Sequence, residues 1–149
     1  MTEPAERKRI LFVLIAILSF AGVVISAVSL ERHYAKSASD FCDYSQQFNC
    51  DIVNRSEYST LAGIPVALIG MIGYAALVGL ATVYRERRET PSLIFGGTLA
   101  ALAFALYLAY IEAKALGVWC ILCLTSLGLI TTIAVVSPVL WWKARKENL

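Results

Sequence analysis

Four long apolar runs leave this chain few folds to choose from. The first, ILFVLIAILSFAGVVISAVSL, covers residues 10–30, twenty-one residues without a charge. As an α-helix that length rises roughly 30 Å, the thickness of a bilayer's hydrocarbon core. The second, LAGIPVALIGMIGYAALVGLATVY, covers 61–84; the third runs from about Ser92 to Leu116 and the fourth from about Val118 to Trp142. Hydrophobic residues make up 58% of the 149, and the mean hydropathy is +0.68, well above the usual apolar share of a soluble domain. The expected fold is therefore an all-α integral membrane protein. It is a four-transmembrane-helix bundle in one domain over 1–149, with helices at about 10–30, 61–84, 92–116 and 118–142. Arg7-Lys8-Arg9 before the first run would also suit a secretory signal peptide. The run exceeds the usual signal core of about 7–15 residues, so a retained helix is expected. Gly63 and Pro65 suit an irregular first turn of the second helix, and Gly70, Gly73 and Gly79 permit close helix packing.

The cations sort by side. Arg7, Lys8, Arg9, Arg85, Arg87, Arg88, Lys143, Arg145 and Lys146 lie at one set of helix ends; Arg32, Lys36, Arg55 and Lys114 lie at the other. The positive-inside rule assigns both termini and the 85–91 loop to the cytoplasm, and 31–60 to the outside. A bacterial inner membrane and an endoplasmic reticulum membrane obey the same rule. No basic, aromatic-interleaved stretch points to nucleic acid. The outer loop is long for a helix connection and carries three basic against five acidic residues. Asn54-Arg55-Ser56-Glu57 resembles a capping box that would start a short helix on the membrane surface.

Four cysteines form two pairs, Cys42/Cys50 in the outer loop and Cys120/Cys123 at the start of the fourth helix. All four then face the oxidising side. Cys-x-x-Cys on a helix brings two sulfurs to one face at about disulfide distance. A helix N-terminus favours a thiolate there, so the pair reads as a redox device. The loop pair is accessible for exchange with an outside thiol protein. Together the pairs suggest a relay from an outside dithiol, through the loop pair and the membrane pair, to a small apolar two-electron acceptor; a quinone meets those conditions. The alternatives are a loop disulfide that only staples a connection, two small buried hydrophobes, and a zinc site, whose spacing is wrong for a common knuckle; no metal is expected.

The stretches FCDYSQQFNCDIVNRSEYSTLAGIPVALIGMIGY and YLAYIEAKALGVWCILCLTS resemble the vitamin K epoxide reductase family over nearly the whole chain. The resemblance implies a four-helix bundle around a quinone site near its outer end, capped by a short helix from the first loop. It implies that Cys42 exchanges with a thioredoxin-like partner, that Cys50 passes electrons to Cys120 through a mixed disulfide, and that Cys123 faces the quinone. Ser56 would match the family's loop serine, holding the cap or touching the relay. Vertebrate members carry a Tyr where this chain has Leu127, and a quinone-binding Asn at about Val66. The bacterial branch, which reduces quinone to make disulfides, is the better match, with ubiquinone, menaquinone or vitamin K as the expected quinone. Many bacterial members carry a fused thioredoxin-like domain. This chain stops at Leu149, so a separate thioredoxin-like or DsbA-like protein is the expected partner.

Around that core, Trp119 is a candidate wall of the quinone pocket or an interface anchor, like Trp141-Trp142 at the other end. Tyr107 and Tyr110 read first as aromatic-belt residues, with Tyr110 a candidate quinone contact. Glu112 is a functional candidate as an intramembrane acid, or an interface residue paired with Lys114 or water. His33 reads as solvated. The expected activity is thiol:quinone oxidoreduction. One rival is a vitamin K epoxide or quinone reductase supplying hydroquinone. The other is a non-enzymatic four-helix membrane protein with a structural loop disulfide.

Overall fold

The computed structural model describes residues 2–34, 52–53 and 56–147. Cys42 and Cys50 lie outside these residues. Helix α1 spans Thr2–Tyr34, longer at both ends than its apolar run. Pro4 sits in the first turn, where its missing N–H costs nothing. Arg7 and Glu3 pair at 2.8 Å one turn apart, extending the helix through the polar flank.

The second run does not begin as helix. Thr60–Leu61 (β1) and Ile64–Pro65 (β2) pair antiparallel, Thr60 opposite Pro65 and Leu61 opposite Ile64. The two-residue turn between them has φ 54° at Ala62 and 83° at Gly63, the double left-handed signature of a tight hairpin. Helix α2, Val66–Thr82, starts only after Pro65. At 17 residues it sits at the short end of what crosses a bilayer.

Helix α3, Thr90–Ile111, opens with Pro91 in its first turn and ends in a π-helical turn, Glu112–Leu116, closed by Gly117 at φ 68°. Helix α4 spans Ile121–Glu147. Pro138 lies inside it and cannot donate to the Ala134 carbonyl. The neighbouring Ser137 hydroxyl reaches that carbonyl at 3.5 Å and meets Thr98 on α3 at 3.1 Å.

Among the described residues, three helices, α1, α3 with its π turn, and α4, are long and apolar enough to cross a membrane; α2 is a shorter apolar helix. Ile17, Phe20, Ile72, Leu106 and Val135 point outward, as residues facing lipid do. Phe12, Ile15, Tyr74, Leu77, Ile94, Ile130, Ile133 and Leu140 form the main core. Helix α1 packs along α2 and α4, and α4 along α3, whereas α2 and α3 scarcely touch. The Lys8–Glu147 ion pair, 2.8 Å, ties the start of α1 to the end of α4. The Arg85–Arg88 turn lines a pocket with the same two residues. The start of α1, the end of α4 and that turn therefore share one end of the bundle, and the start of α4 lies at the other.

Candidate active site at the cysteine end of the bundle

The loosely packed side between α2 and α3 is a cavity of about 490 Å³, within the range that holds small ligands. Its walls are mostly apolar: Val66, Ala67 and Gly70 from α2, Ala101 and Phe104 from α3, Leu127 from α4. Polar atoms gather toward the end where α4 begins.

Gly117 ends the π turn and its N–H donates to the Glu112 carbonyl at 2.9 Å. The chain then doubles back through Val118 and Trp119 to Cys120. Cys120 is not inside the first turn of α4. It stands just before the helix as its cap: its carbonyl accepts from Leu124 N–H at 2.9 Å, and its Sγ accepts from Cys123 N–H at 3.4 Å. The sulfur thus occupies the place that a serine or aspartate oxygen fills at other helix starts. The N–H that the sequence would aim at a thiolate in general is aimed at Cys120 in particular. Cys120 is fully buried beside Val53 and Leu122. Cys123, one turn on, lies in the cavity wall. The helix start therefore presents the two sulfurs differently, one sealed behind the wall and one lining it.

Glu112 completes this group. It is only 3% exposed, its Oε2 accepts from Cys120 N–H at 3.0 Å, and it lines the same cavity as Cys123. The expected interface pairing with Lys114 is corrected: Lys114 points outward from the π turn while Glu112 lines the cavity.

Ser56 also lines the cavity. It precedes a one-turn 3₁₀ helix, Glu57–Ser59, but does not cap it; its hydroxyl donates back to Val53 O at 2.8 Å. Ser59 donates to Ser56 O at 2.6 Å and meets His33 Nδ1 at 3.2 Å. This ties the segment to the end of α1. His33 is therefore not simply solvated; it belongs to the cavity lining. Val66 and Leu127 line the wall, whereas Trp119 is half-buried outside it and Tyr110 is 63% exposed, facing away.

Four residues carried no strong sequence signal. Tyr74 crosses from α2 to α4, its Oη donating to Ser126 O at 2.8 Å with Ser126 Oγ 2.9 Å away. Its ring lies so close to α1 that a Cβ on Gly22 would come within 2.3 Å of it. Ser19, Ser26 and Ser29 are buried on the inner face of α1, and the latter two line the cavity. Their spacing of seven and three was the available clue, since helical neighbours recur at those intervals.

A cavity with apolar walls, few polar groups and a thiol in its lining suits an apolar ring with hydrogen-bonding edges. The quinone that the sequence suggested fits this chemistry. A family model, that of the vitamin K epoxide reductase family, matches residues 13–138, from the first buried turns of α1 to Pro138 of α4.

Proposed function

This chain belongs to the vitamin K epoxide reductase family and is an integral membrane oxidoreductase of that type; from this premise we propose that it oxidises a secreted dithiol protein and reduces a membrane quinone. The observation that carries the reading is Cys123 in the wall of the apolar cavity, one helical turn from the capping Cys120. A bound quinone would supply a two-electron, two-proton acceptor that leaves as hydroquinone. Everything else falls to the chain's own residues.

In this reading a reduced thioredoxin-like or DsbA-like carrier opens a Cys42–Cys50 disulfide at Cys42. Cys50 then attacks Cys120 of an oxidised Cys120–Cys123 pair, forming a Cys50–Cys120 mixed disulfide and releasing Cys123 toward the cavity. The helix-start N–H directed at Cys120 Sγ favours Cys120 as the sulfur that exchanges. Over a full cycle the carrier dithiol becomes a disulfide, and two electrons and two protons reach the acceptor. Val66, Leu127 and Phe104 would hold the ring by contact and exclude water. The sparse packing between α2 and α3 leaves room for an isoprenoid tail to run toward lipid. Ser56, bonded to Val53 O, would hold the loop segment across the cavity end.

The bundle forms one domain in which all four helices cross the membrane. The charge bias keeps both termini in the cytoplasm, and the cysteine end faces the periplasm, or the lumen if the membrane is that of the endoplasmic reticulum. Epoxide reduction receives less support, because Val66 and Leu127 offer the ring no hydrogen bond. The test is turnover by purified protein in lipid with a reduced carrier and a soluble quinone analogue. Quinone reduction that ceases in Cys120→Ala and in Cys123→Ala is the expected result. Full turnover in either variant would overturn the reading, and faster consumption of vitamin K epoxide than of quinone would favour the rival.

A further inference from the structure

Glu112 has no evident reason to be a carboxylate if its task is structural. Burying an ionisable group among apolar helices is costly, and such groups in membrane segments generally serve function. Glu112 is 3% exposed, yet it does not make the surface pair with Lys114 that its sequence position suggests. Its carboxylate instead accepts from the Cys120 N–H at 3.0 Å and lines the cavity wall that Cys123, one turn on, also lines. The bond to Cys120 N–H caps α4, and a glutamine carbonyl would serve equally well there. A carboxylate sharing a cavity wall with a thiol can also take its proton, which an amide cannot.

We propose that Glu112 is the proton acceptor for the Cys123 thiol. The inference rests on the reading of Cys123 as the thiol that serves the quinone. The Cys123 S–H bond breaks, its proton forms an O–H bond on Glu112, and the electron pair stays on sulfur. When Cys120 and Cys123 close a disulfide, two electrons would pass to a quinone bound in the cavity. The proton held by Glu112 is one of the two that hydroquinone requires, and that of the Cys120 thiol is the other. A carboxylate within reach moves that proton inside the cavity, where general acid–base groups typically contribute about 10²–10⁴-fold. Because Glu112 lines the cavity as Cys123 does, the proton need not pass through water.

A thiol and the carboxylate that takes its proton titrate as a pair rather than singly. Among the described residues, the other titratable groups facing the cavity are His33 from α1, Tyr58 in the 3₁₀ turn and Tyr74 from α2. Cys120 flanks the pair from the start of α4.

The test uses the full chain in lipid, fully reduced, with alkylation of Cys123 by N-ethylmaleimide followed across pH by mass spectrometry. Wild type should show two inflections that survive His33→Asn, and Glu112→Gln only one. Single-turnover reduction of a quinone analogue should fall about 10²-fold or more in Glu112→Gln and recover at least in part in Glu112→Asp. Glu112→Gln with the wild-type rate and profile would reduce Glu112 to a cap and overturn the proposal. A single inflection in wild type would also overturn it, whether or not the variant folds. Cys123→Ala separates the two levels. If that variant still reduces quinone, the reading of Cys123 fails; if it is inactive while Glu112→Gln is not, only the role of Glu112 fails.

Discussion

At the scale of single residues, the bundle depends on one close approach that composition does not reveal. Gly22 is where the Tyr74 ring crosses α1, and a Cβ there would lie 2.3 Å from the ring. Gly22→Ala should therefore displace Tyr74 and cost about 1–3 kcal/mol, as overpacking does, seen as a lower unfolding temperature in detergent. Tyr74→Phe keeps the ring and removes only the bond to Ser126 O, so its cost should be smaller, about 0.5–1.5 kcal/mol. A Gly22→Ala protein as stable as wild type would mean that the ring can move aside freely. Cysteine spacing marked Cys120 and Cys123 in the sequence, because two thiols three apart on an apolar run are uncommon there. Nothing local marked Gly22, Tyr74 or the partnership of Glu112 with Cys120, since those contacts join residues 52 apart in one case and 8 in the other.

At the scale of elements, the helices followed their apolar runs, while their ends were set by backbone chemistry. The 61–84 run yields to a hairpin over Thr60–Pro65 because Ala62 and Gly63 both take the left-handed conformation. Gly63 does so at no steric cost, whereas Ala62 carries a Cβ that opposes it. Ala62→Gly should then be neutral or raise stability by up to about 1 kcal/mol, and Gly63→Val should lower it; thermal unfolding of the pair would decide this. Gly117 has a larger task, for its left-handed turn returns the chain from Glu112 to Cys120. Gly117→Val should shift the carboxylate from the cysteines and slow quinone reduction at least tenfold, even where the protein still folds. The rate after rapid mixing with a quinone analogue measures it. An unchanged rate would show that the reversal tolerates a side chain.

At the scale of the whole molecule, the cavity exists because α2 and α3 are held apart by their packing on α1 and α4. Gly97 lies in its wall, and a Cβ built there meets nothing within 4 Å. Gly97→Phe should fill the space with little loss of stability and lower quinone reduction more than tenfold, leaving disulfide exchange with the carrier intact. Equal loss of both half-reactions would place the defect in folding instead. The amino-acid sequence by itself determined that the chain is helical and membrane-embedded, and the family motifs carried the likeness that the family match bore out. Those properties are additive along the chain: apolar length sets a helix that can cross a bilayer, and residue spacing makes a motif. The tertiary structure decided which sulfur is sealed and which lines the cavity, where α2 begins, and which carboxylate bonds the Cys120 N–H. It also moved Tyr110 out of the candidate site and brought His33 into it. Each of these depends on how one helix is rotated against another. That rotation is fixed by contacts such as Gly22 with Tyr74 and Thr98 with Ser137, made between segments far apart in the chain.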